Sequence, residues 1–65
     1  MKYPKNKAEF EKLKKELIGK VCITPHYKEE KEIVGFDWTN DDGEIRVIVW
    51  TDDDEAIDLE ELVLK

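Results

Sequence analysis

The sequence predicts an α+β fold that is mainly β: an N-terminal helix over residues 7–18, followed by a small five-stranded barrel over residues 20–65. Three observations lead there. Apolar residues recur at helical spacing as far as Ile18 and then, beyond Gly19, at every second position. The later apolar runs are short and are separated by turn residues, at Pro25, at Asp42-Gly43 and at Asp52-Asp53-Asp54-Glu55. The chain has 65 residues, which makes one domain and leaves room for a small barrel only.

The helix is written locally. Asn6 is a good N-cap, and Glu9 stands three residues later at the spacing of a capping box. Phe10, Leu13 and Leu17, with Ile18 beside them, make one apolar face. Lys12, Lys14 and Lys15 crowd the C-terminal half, where positive charge suits the helix dipole, and Gly19 is free to turn left-handed at the end. Three turns of helix are marginal alone in water, so this one must dock on the rest of the chain.

Strand expectations follow in order. Lys20 to Thr24 is the first strand, with Val21 and Ile23 facing inward, and Pro25 ends it because proline has no amide hydrogen for a ladder. Glu32 to Thr39 is the second, with Val34, Phe36 and Trp38 on one face and Gly35 marking a bulge or a close backbone approach. Asn40-Asp41-Asp42-Gly43 is a tight hairpin turn. Glu44 to Thr51 is the third and most apolar strand, expected to be central. Ala56 to Leu59 is the fourth, Glu60-Glu61-Leu62 a single helical turn, and Val63 to Lys65 the last strand. Bending five strands over one another buries one face and removes most free edges.

The run from Ile45 through Trp50, the acidic turn at Asp52-Asp53-Asp54-Glu55, the short segment Ala56-Ile57-Asp58-Leu59 and the Glu60-Glu61-Leu62 turn resembles the closing half of SH3-like small barrels of the Tudor and KOW kind. Gly19-Lys20-Val21 and Val34-Gly35-Phe36 fit the opening strands. The resemblance covers Gly19 to Lys65 at the level of fold, leaves the helix outside, and implies a binding module for peptides, modified side chains or nucleic acid.

Charge divides the chain. The net charge is -6, but residues 1–31 hold nine lysines against five glutamates, a net of +4, and residues 32–65 hold twelve acids against Arg46 and Lys65, a net of -10. The question becomes which face binds.

Chemistry is scarce. There is no serine, and Cys22 and His26 sit four apart across Pro25 without an acidic residue placed to orient them, so no enzyme is expected. One cysteine and one histidine are too few for zinc. Asp37, Thr39 and Asp41 start like a calcium loop, but Asp42 occupies the glycine position and Ile48 the final acid position, so no metal and no cofactor is expected. No apolar run approaches the about 18 residues that span a bilayer, and Met1 to Lys7 lacks an apolar signal core, so no membrane and a cytoplasmic location are expected.

The leading expectation is a small acidic, non-enzymatic interaction module. It contacts a protein partner through an acidic strand-turn rim, formed by Asp41, Asp42, Asp52, Asp53, Asp54 and Glu55 with Trp38 and Trp50. Tyr27, Trp38 and Trp50 either converge on that rim as a cage for a cation or cover the core and the docked helix. A sharper version is a mimic of the DNA backbone. The pattern resembles small acidic inhibitors made by phages and mobile elements, which block nucleic-acid-binding enzymes of host defence. The alternative from another class is a nucleic-acid-binding module using Lys7, Lys12, Lys14 and Lys15, opposed by the -10 block and by a single arginine.

Overall fold

The computed structural model describes all residues from Met1 to Lys65. Helix α1 spans Lys7–Leu17; strands β1 (Val21–Ile23), β2 (Glu30–Asp41), β3 (Glu44–Thr51), β4 (Ala56–Asp58) and β5 (Val63–Leu64) follow, with a 3-10 turn, Leu59–Glu61, before β5. Asn6 caps α1 as its sequence indicates: its side chain accepts from Glu9 N at 2.9 Å, and Glu9 answers by accepting from Lys5 N at 2.7 Å. The helix ends at Ile18, and Gly19 takes a φ of 82°, the left-handed turn that glycine makes without strain.

All pairings are antiparallel, in the order β4-β3-β2-β1-β5. The sheet is therefore open. β4 and β5 are its edges and no ladder joins them, so the closure expected of a barrel is not made by backbone pairing. β2 is the spine: its first residues pair with β1 and the rest with β3. The β2–β3 hairpin turns at Asp42 and Gly43, with φ of 50° and 83°, the two positive angles its sequence asks for.

The ladder between β2 and β3 slips between Ile33 and Gly35, so that Val34 is the extra residue. This bulge decides the core. Ile33, Phe36 and Trp38 pair with Thr51, Val49 and Val47, the buried positions of β3, and so share the inner face. Ile33 is completely buried, whereas Val34 is 48% exposed. The expectation that Val34 lies inward with Phe36 and Trp38 is corrected, because an extra residue reverses the alternation of side chains. In β1 the phase is also opposite to expectation: Cys22 is buried, Ile23 half-buried and Val21 exposed. α1 lies over the inner face with Phe10 and Leu17 buried, and Val47, Val49, Ile57, Leu59 and Leu62 complete the core.

Candidate functional site

Alternation along β3 gives the strand two chemistries. Val47, Val49 and Thr51 are buried, and Arg46, Ile48 and Trp50 point to the other face. The bulge sets Gly35 directly across from Trp50, so no side chain stands opposite it at that rung of β2. One step further along the same face, Asp37 accepts a hydrogen bond from Trp50 Nε1 at 2.7 Å. A charged acceptor on an indole N–H is a strong bond, and it fixes the orientation of a half-buried ring on the outer face of the sheet.

The chain then enters the acidic turn through Thr51, which is fully buried. Its hydroxyl donates to Asp53 at 2.5 Å and accepts from Glu55 N at 3.1 Å. Its backbone bonds both Glu55 O and Asp54 N, and Asp52 N reaches back to Glu32 O at 3.0 Å. Asp54 adopts a φ of 64°, a left-handed conformation that aspartate tolerates better than most residues. Four acids in sequence are thus held in one conformation by a buried threonine.

Their roles diverge. Asp53 is exposed but bonded: Thr51 and then Lys31, whose ammonium lies 3.0 Å away, hold its carboxyl below the usual carboxylate range. Lys31 is raised in turn by Asp53, and it also pairs with Glu29 at 3.4 Å. Asp52 and Asp54 face solvent and Glu55 is half-buried. Trp50 thus bonds Asp37 on the outer face of the sheet and precedes, by two residues, a turn in which Asp52 and Asp54 are exposed and Asp53 is engaged by Thr51 and Lys31.

The structure separates other expected site residues. Trp38 lies on the inner face, its ring centroid 4.7 Å from that of Phe10, and packs against the core under α1. The two tryptophans occupy opposite faces of the sheet. Tyr27 stands 75% exposed in the turn after β1. The cage of Tyr27, Trp38 and Trp50 is not assembled. Asp41 and Asp42 are exposed at the hairpin tip, whereas the acidic turn follows the far end of β3. Eight strand residues separate the two clusters by about 23 Å. The expected single rim is two acidic clusters at opposite ends of a strand.

On α1, Lys7, Lys12 and Lys15 are exposed. Lys14 is half-buried, pairs with Glu11 at 3.5 Å and sets its ammonium 5.2 Å from the centre of the Phe10 ring. Cys22 is enclosed in the core, burial pushes its thiol pKa up, and His26 is exposed in a turn. No group of three or more His, Cys, Asp or Glu is arranged to hold a metal ion, and no helix is long and apolar enough to cross a membrane.

Asp37 was not expected in the site. The signal for it was present: counting back from the Asp42-Gly43 turn pairs Asp37 with Ile48, diagonal to Trp50 on the same face. These features define a small α+β protein carrying an oriented tryptophan beside a rigid acidic turn. No family model, no curated protein and no solved structure matches the chain.

Proposed function

We propose that the protein is a small non-enzymatic interaction module, acting in the cytoplasm, that binds a lysine- or arginine-bearing segment of a protein partner at Trp50 and the acidic turn. One observation carries this reading: the indole of Trp50, oriented by Asp37, is followed in the chain by an acidic turn whose backbone is held by Thr51 and which exposes Asp52 and Asp54. A cation over an indole face gains about 0.5–2 kcal/mol, and the exposed carboxylates of Asp52 and Asp54 add electrostatic attraction. The -10 charge of residues 32–65 steers a basic partner toward this part of the chain. The strand order, with a 3-10 turn between β4 and β5, supports an SH3-like fold, whose sheet here remains open between its edges.

The lysine-helix reading has less behind it, because Lys14 is engaged by Glu11 and Phe10. The DNA-mimic reading uses the same acids and differs in its partner. Capture of partners from lysate on immobilised protein, compared with Trp50→Ala and with Asp52→Asn/Asp54→Asn, tests the proposal. Basic partners retained by wild type and lost by both variants support it. Retention by both variants removes it. Release of the captured protein by added duplex DNA assigns the DNA-mimic version.

A further inference from the structure

A second surface lies where α1 meets the bulge. Glu11, Lys14, Lys15 and Ile18 of the helix side and Val34, Gly35 and Phe36 of β2 line a groove of about 440 Å³. Its floor is apolar. Ile18 is 50% exposed and Val34 48%, although both are large side chains that a helix end and a strand interior usually cover. The bulge shapes the groove, since it turns Val34 out of the core next to Gly35, which has no side chain of its own.

The groove's charge has the opposite sign to the acidic turn. Lys14 and Lys15 stand on its helix wall against one acid, Glu11, which is occupied by Lys14 at 3.5 Å. Lys15 is exposed and makes no ion pair. An apolar floor with an unpaired ammonium on its wall complements an apolar side chain with a carboxylate next to it.

We infer that this groove is a docking site for an extended acidic-apolar segment of a partner protein, whose apolar side chain packs on Ile18, Val34 and Phe36 and whose carboxylate pairs with Lys15. The site is distinct from the Trp50 patch in chemistry and in residues. It gives the module two faces of opposite charge, one for a basic and one for an acidic segment, matching the division of the chain into +4 and -10 halves.

The test uses the full chain and a dye-labelled hexapeptide in which glutamates alternate with two leucines and a phenylalanine, with a control peptide carrying lysines in place of the glutamates. Fluorescence anisotropy at low salt is the readout. The acidic peptide should saturate, and any binding of the lysine peptide should be unmoved by Val34→Glu, because the basic peptide belongs at the Trp50 turn and not in the groove. Val34→Glu and Lys15→Glu each change an exposed residue, so folding persists by circular dichroism, and each should weaken the acidic peptide by about fivefold or more. Asp52→Asn/Asp54→Asn should leave it unchanged, which separates this site from the Trp50 patch. Three results overturn the inference: no saturation by the acidic peptide; equal loss in the turn variant; or a concentration-dependent dimer in sedimentation that Val34→Glu abolishes, which gives the groove to a second copy.

Discussion

Replacing Ile33 and Val34 one at a time by alanine tests the bulge that organises both faces of the molecule. Ile33 is 0% exposed and Val34 is 48% exposed, although the two are neighbours in the chain. Ile33→Ala removes three buried carbon groups, about 2.4 kcal/mol at about 0.8 each, and the cavity left behind brings the cost to about 3 kcal/mol. A chain of this length holds about 3–5 kcal/mol in total, so most of the stability goes. Val34→Ala removes two methyl groups that are half in water already, at a cost below about 1 kcal/mol. Urea unfolding followed by circular dichroism reads the difference. With a slope of about 1 kcal/mol per molar urea, the Ile33 variant should lose about 3 M from its midpoint and the Val34 variant less than about 1 M. Equal costs, or a larger cost at Val34, would mean that the bulge is not where the ladder places it. Gly35 would then not face Trp50 and the groove would not exist.

Other outcomes follow from the same contacts. Thr51→Val keeps the shape of the side chain but leaves Glu55 N without its acceptor, so stability should fall by about 1 kcal/mol or more, or about 7 °C in melting temperature for a domain of this size. Asp53 sits below its ordinary carboxyl value in the fold, so its stabilisation is present above that ordinary value and is lost as pH falls through the lower folded one. Asp53→Asn should accordingly flatten the loss of stability below about pH 4 in a pH series of urea melts. Tyr3 donates its hydroxyl to Asp58, and burial, that bond and the nearby negative charge push its pKa up to about 12 from 10.0. The neutral form is favoured in the fold, so stability is full below pH 10.0 and is lost as pH rises toward about 12; Tyr3→Phe should remove that alkaline loss. Cys22 is enclosed and its thiol is raised, so a thiol-reactive dye should label it only at the rate of unfolding, and fast labelling in native buffer would contradict its place in the core.

Features set by neighbouring residues were legible in the sequence. Asn6 with Glu9, Gly19, and Asp42-Gly43 each act within one turn of chain, and each appears where its chemistry requires. The third strand matches residue for residue, because its turns bound it on both sides. Faces were less legible. Cys22 and Thr24 are buried while Val21 is exposed, although valine is the more apolar, because the β1 phase is set by pairing with β2 and β5. Gly35 signalled a bulge, but the sequence did not say which neighbour is extra, and that choice exchanges Ile33 for Val34 in the core. The candidate site was half legible. Trp50 and the acidic turn were singled out, but Trp38 belongs under the helix, and Asp53 is spent on Thr51 and Lys31. Those assignments depend on contacts between segments 13 to 28 residues apart, such as Trp50 with Asp37 and Trp38 with Phe10, which periodicity alone does not fix.

The proposed function requires that Trp50 and its turn receive a basic segment. The two tryptophans make this directly observable, because each gives its own indole N–H signal in a proton–nitrogen spectrum and they lie on opposite faces of the sheet. Titrating an arginine- and lysine-rich peptide into labelled protein should move the Trp50 indole signal and the Asp52–Glu55 amides together, saturably, with an effect that shrinks as salt is raised. The Trp38 indole and the α1 amides should stay in place. Movement of Trp38 or of α1 without Trp50, or no movement at millimolar peptide, would rule out a basic-segment site at Trp50.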